Sequence, residues 1–114
     1  MEIIRHQAIK KDFKNLRRFP APQDSLEAWE RLFCLKGLNE THGIKLFPGF
    51  GGIKIYKARV IPLKERCGKS NGYRVVFQIY EVSKCKILFF SRHGIYKSEN
   101  ELIKIIKDRL NDNL

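Results

Sequence analysis

The chain has 114 residues, 43% of them hydrophobic, and 23 Lys+Arg oppose 12 Asp+Glu for a formal net charge of +11. That length suits one domain, 1–114, and is too short for two, while the apolar content excludes a disordered chain. An excess of positive charge this large repels itself, so it points to a polyanionic partner: nucleic acid, an acidic protein or an anionic surface.

No apolar run approaches the ~20 residues of a membrane span. Met1 to Lys11 lacks the apolar stretch of a secretory signal, so a cytoplasmic protein with no membrane partner is expected. Cys34, Cys67 and Cys85 form an odd set without a CxxC pair, and His6, His42 and His93 are scattered. The expectation is reduced thiols, no disulfide framework, no metal site and no cofactor.

Glu2-Ile3-Ile4-Arg5 reads as a short edge strand. Ile9, Phe13 and Leu16 then recur at helical spacing, ringed by Lys10, Lys11, Lys14, Arg17 and Arg18. Phe19-Pro20-Ala21-Pro22 must end this helix. Asp24 and Glu27 suggest a capping box for a second helix, with Leu26, Trp29, Leu32 and Phe33 as its apolar face and Gly37 as its stop. Together these segments predict an α-hairpin. Asn39 to Gly52 reads as a loop. Its glycine cluster lacks the pattern of a phosphate-binding loop and precedes a strand, so it is a turn.

From Ile53 the hydrophobic period becomes two, predicting strands over Ile53–Ile61, Tyr73–Tyr80 and Lys86–Ser91, with Ser83-Lys84 as a turn. Ser98 and Glu101 form an S-x-x-E capping box before a last helix with Leu102, Ile103, Ile106 and Leu110 as its stripe. The fold class expected is α+β: an antiparallel sheet packed on an N-terminal α-hairpin, with a C-terminal helix. Phe13, Leu16, Trp29, Phe33, Val75, Phe77, Leu88 and Phe90 are its expected core.

Alternation decides which polar side chains meet. Lys57 and Arg59 are two apart and share a strand face, and Arg74 lies opposite Tyr73, Val75 and Phe77 on its own strand. The apolar run Ile87-Leu88-Phe89-Phe90 leads to Ser91-Arg92-His93, and Tyr96 follows. Lys57, Arg59, Arg74, Arg92, His93 and Tyr96 are therefore expected to converge on one surface. Cations beside an aromatic ring suit an RNA backbone with one unstacked base. Strand-edge cations also deter aggregation, so any one of them taken alone is weak evidence, and the convergent set carries the argument.

At these residues the chain resembles the RelE/ParE superfamily of bacterial type II toxins. The resemblance covers nearly the whole chain in element order and is sharpest in three segments: Lys11-Asp12-Phe13-Lys14-Asn15-Leu16; Ile55-Tyr56-Lys57-Ala58-Arg59 with Gly72-Tyr73-Arg74-Val75-Val76-Phe77; and Phe90-Ser91-Arg92-His93-Gly94-Ile95-Tyr96-Lys97. It implies a RelE-like fold and an mRNA endoribonuclease that works in the ribosomal A site by attack of a ribose 2′-OH on the adjacent phosphate, without metal. It also implies a cognate antitoxin that binds the toxin as a hetero-oligomer. By similarity Lys57 and Arg59 stand for the basic pair of the first long strand, Arg74 and Arg92 for the phosphate-clamping arginines, and Tyr96 for a base-stacking tyrosine. Arg59 departs from the usual second lysine. Arginine effectively never deprotonates, which leaves Lys57 or His93 to move protons. Two other outcomes stay open within the same fold: a ParE-like gyrase poison, and an inactive basic binding module.

Overall fold

A computed structural model of the chain describes residues 1–64, 72–92 and 94–112. It is an α+β fold with one five-stranded sheet in the order β1-β5-β4-β3-β2. The elements are β1 (Glu2–Arg5), α1 (Ile9–Asn15), α2 (Pro22–Glu40), β2 (Lys45–Leu46), β3 (Ile55–Val60), β4 (Tyr73–Glu81), β5 (Lys84–Arg92) and α3 (Glu99–Leu110). No helix among the described residues is long and apolar enough to cross a membrane.

Two layers of side chains flank the sheet. On one face Leu16, Leu26, Trp29 and Phe33 from the first two helices pack on Ala58, Val60, Tyr73, Val75, Phe77 and Phe90. On the other, Leu102 and Ile106 of α3 pack on Ile55, Val76, Leu88 and Phe89, with Phe47 and Phe50 closing the end. The expected core residues are buried, except that Phe13 is half-buried with its ring 5.8 Å edge-on to Phe90.

The sheet is mixed, which corrects the expectation of a purely antiparallel one. β1 runs parallel to β5, pairing Glu2 with Lys84 through Arg5 with Ile87. The other pairings are antiparallel. Strand periodicity does not encode direction, and only the long return from β1 to β5 makes this pair parallel. The segment expected to be loop contains β2, two residues that pair Lys45 with Lys57 and Leu46 with Tyr56.

The start of α2 also differs from expectation. Pro22 is its first residue, where a missing N–H costs nothing, and Ala21 before it sits in the left-handed region at φ 45°. No side chain caps this end, so the expected Asp24/Glu27 capping box does not form. Gly37 breaks the helical backbone at φ 72°, as its position suggested, although a last turn resumes as far as Glu40. Leu32, expected on the buried face, is exposed. The Ser98 cap does form: its hydroxyl accepts from the Glu101 N–H at 3.2 Å, and the Glu101 carboxylate accepts from the Lys97 N–H at 3.0 Å.

An ion pair completes the outer edge of β5. The ladder with β1 stops at Ile87, whose carbonyl accepts from the His6 N–H at 2.8 Å. Beyond it the Arg109 guanidinium donates to the Leu88 carbonyl at 2.8 Å, and the Asp12 carboxylate accepts from the Phe90 N–H at 3.0 Å. Asp12 and Arg109 join each other by two hydrogen bonds of 2.7 and 2.8 Å, with side chains 2% and 12% exposed. The clasp ties α1 to α3 around the strand and supplies the donor and acceptor that a longer β1 would have supplied.

Candidate functional site

The α3-side face of β2, β3 and β4 carries the cations in two neighbouring rows. Lys45 stands directly opposite Lys57, and Arg59 directly opposite Arg74, which is in turn opposite Ser91. Like charges facing each other across a sheet are destabilising, so two such pairs on one face mean that the fold tolerates self-repulsion there. Glu99, the first residue of α3, offsets part of this charge: its carboxylate lies 3.0 Å from the Lys57 ammonium. Lys57 Nζ also stands 4.7 Å above the Phe47 ring, an arrangement that holds the side chain upright over the sheet.

Tyr96 reaches this face, but its ring does not lie open. It is 9% exposed and packs edge-on to Phe89, with ring centroids 6.0 Å apart, as part of the α3-side core. A ring so enclosed cannot take a stacked base, which corrects the stacking role expected for it. Its hydroxyl lies within electrostatic reach of the Arg74 guanidinium. Burial pushes the phenol pKa up, with Glu99 adding to the rise, while the charge and hydrogen bond of Arg74 act in the opposite direction. Sequence spacing brought Tyr96 to the right face but could not tell a packed ring from a presented one.

Arg92 is not on this face, which corrects the expected convergence. It pairs with Tyr73 and lies on the side of α1 and α2, its guanidinium 4.4 Å from the Phe19 ring and 5.1 Å from the Tyr73 ring. The reason is a bulge. Val76 pairs with Phe89 but Phe77 pairs with Ile87, so Leu88 is an extra residue in β5. Leu88 and Phe89 therefore both face α3, and every later residue of the strand is turned over. His93 lies outside the described residues.

Two contributors were not anticipated from the sequence. Glu99 was read only as part of a helix start, and Lys45 only as part of a loop. The signal for Glu99 was its place one residue after the cap, where a carboxylate favours the helix N-terminus. Nothing local signals that β2 exists, since two residues are too few to show a period.

A groove of about 800 Å³ runs around the β3 edge from this cationic face to α2. Ala28, Trp29, Leu32 and Leu63 line its apolar side, and Lys57, Arg59 and Arg74 its charged side. Comparison with family models, with curated proteins and with solved structures gives no match for this chain, so the geometry of this face stands as the evidence for function.

Proposed function

We propose that the face built from Lys57, Arg59, Arg74 and Tyr96 binds and cleaves RNA, as an endoribonuclease of the RelE-like toxin type that the sequence resembles. The observation that carries this reading is the doubled like-charge pairing, Lys45 with Lys57 and Arg59 with Arg74. A surface that keeps four cations in two facing pairs is matched by a ligand with closely spaced negative charge, and a phosphodiester backbone is such a ligand.

In the reaction proposed, a ribose 2′-oxygen attacks the adjacent phosphorus, the bond to the 5′-oxygen breaks, and a cyclic phosphate and a 5′-hydroxyl result. Negative charge grows on the non-bridging oxygens, where Arg59 and Arg74 would stabilise it. The Tyr96 hydroxyl would hold Arg74 in place, so Tyr96 is a positioning residue in this scheme. The Glu99 carboxylate, held beside Lys57, would accept the 2′-OH proton, and the Lys57 ammonium would supply one to the leaving oxygen.

The test is cleavage of mRNA in a translating extract and of the same RNA without ribosomes, by the wild type and by Arg74→Ala, Lys57→Ala and Glu99→Gln. Loss of one preorganised charge donor should cost ~10²–10³ in rate. Cleavage should persist in EDTA. Full activity of both Arg74→Ala and Lys57→Ala would overturn the assignment.

A further inference from the structure

The groove at the β3 edge joins two unlike walls. Lys57, Arg59 and Arg74 form the cationic one, while Ala28 and Leu32 of α2, with Ile61 and Leu63 from the segment after β3, form an aliphatic one. That segment is tied across to the start of α2, where the Leu63 N–H donates to the Ser25 hydroxyl at 3.1 Å. Ser25 is itself 1% exposed, so the two parts of the aliphatic wall are anchored to each other. Leu32, Ile61 and Leu63 nevertheless remain 43%, 54% and 56% exposed. Single exposed leucines are ordinary, but three aliphatic side chains gathered in one cleft mark a place where apolar surface can still be buried.

The lining also discriminates between ligands. Among the described residues Trp29 is the one Phe, Tyr or Trp that lines the groove, and its ring is buried and stacked on Phe33 with centroids 4.9 Å apart. A nucleobase stacks on an open ring face, so the aliphatic wall offers it no platform. An alkyl chain needs only aliphatic contact. The volume of about 800 Å³ lies within the ~300–1,000 Å³ of small-ligand sites. At the charged end Arg59 stands directly opposite Arg74, and Glu99 is committed to Lys57. Among the described residues no carboxylate pairs with either arginine, and a guanidinium takes a carboxylate or a phosphate through two parallel hydrogen bonds.

The geometry points to a binding site for a single-chain amphiphilic anion, an alkyl carboxylate or alkyl phosphate. Its head would lie between Arg59 and Arg74 and relieve their repulsion, and its chain would run round the β3 edge onto Leu32, Ile61 and Leu63. Both halves are required. A short anion gains only an exposed charge contact, which water and salt screen, whereas each methylene laid on the aliphatic wall adds burial. A cleft that bends round a strand edge takes one chain at a time, so the ligand is a monomer in solution and not the plane of a bilayer. The site rests on the cleft and its charges alone. That a bound head would also keep RNA phosphate off the same arginines, and so make cleavage sensitive to free alkyl anions, rests on the cleavage reading.

The experiment titrates the intact, methyl-labelled protein with hexanoate, octanoate, decanoate and decyl phosphate, each below its micelle-forming concentration. Calorimetry gives affinity and stoichiometry, and NMR gives the place. Expected are one saturable site per chain, shifts of the Leu32, Leu63 and Ala28 methyl signals, and an affinity that rises roughly 2–4-fold for each added methylene. Arg59→Gln should weaken decanoate binding roughly 5–10-fold. Leu32→Gln, at an exposed helix position, should weaken it roughly 3–10-fold and flatten the dependence on chain length. Affinity that ignores chain length, uptake of many equivalents without saturation, or equal binding of decyltrimethylammonium overturns the proposal. So do methyl signals that move only with vesicles of phosphatidylcholine and phosphatidylglycerol, or only with an oligoribonucleotide. All of this is read without RNA cleavage, so the site can stand while the cleavage reading fails, and the reverse.

Discussion

The Asp12–Arg109 clasp makes a strong, specific prediction. Removing one partner of a buried, hydrogen-bonded ion pair leaves the other charge without compensation and typically costs ~3–5 kcal/mol. Asp12→Ala strands a guanidinium whose side chain is 12% exposed and also orphans the Phe90 N–H. Arg109→Met strands a carboxylate that is 2% exposed and leaves the Leu88 carbonyl without this donor. Against a stability of ~5–15 kcal/mol for a domain, either loss is severe. With a urea m value of roughly 1.5 kcal/mol/M, a loss of ~4 kcal/mol moves the midpoint by about 2.7 M.

Asp12→Asn should cost less than Asp12→Ala, because an amide oxygen can still accept from Phe90. The double variant Asp12→Asn/Arg109→Met removes both charges and should cost about as much as one single variant, a coupling of at least ~2 kcal/mol. Urea titrations of the wild type and these four variants decide the matter. Additive effects, or single losses under ~1 kcal/mol, would refute the account of the clasp as the completion of the β5 edge.

Other consequences are open to direct measurement. Tyr96→Phe keeps the packed ring and removes the hydroxyl that Arg74 influences, so under the proposed cleavage kcat should fall roughly 5–10-fold with little change in Tm; an unchanged kcat contradicts the positioning role. Lys45→Glu turns a like-charge cross-strand pair into an opposite one, so the fold should gain a few tenths of a kcal/mol while RNA affinity drops, and a gain in both would count against the charge argument. Burial pushes the Cys85 thiol from 9.0 to about 12. Below pH 9 the thiol is neutral in both states and its contribution is fully present. As pH rises toward 12 only the unfolded thiol ionises, so stability is lost, by up to ~4 kcal/mol for three pH units. Cys85→Ala should flatten that alkaline decline in urea midpoints between pH 8 and 11, and an identical slope would refute it.

How much of this was legible in the sequence depends on the range of each signal. The switch of period near Ile53, the Ser98 cap and the apolar stripe of α3 are local, and they read correctly. The faces of β3 and β4 followed from alternation, which put Lys57, Arg59 and Arg74 together. Arg92 was misplaced because a single extra residue at Leu88 inverts the strand beyond it, and an apolar run such as Ile87-Leu88-Phe89-Phe90 hides that insertion: every residue in it is at home on either face. The direction of β1 and the Asp12–Arg109 contact depend on residues tens of positions apart, where no local pattern carries information, and β2 is too short to show a period.

The pairing of β1 with β5 also sets an order of assembly. Glu2 and Lys84 are neighbours in the sheet, so the first strand has no partner until more than two thirds of the chain has followed it. During synthesis the hairpin of β4 and β5 can close early, because its contacts are local, while β1 must be recruited across a long loop. Asp12 waits longer still, since its counterion is Arg109 near the end of α3. Until then its carboxylate can stay hydrated, and the outer edge of β5 stays open to other chains. The last step is therefore the docking of α3, which buries the ion pair, seals that edge and places Glu99 beside Lys57 in one event, so the charged face is finished only when the whole chain is available.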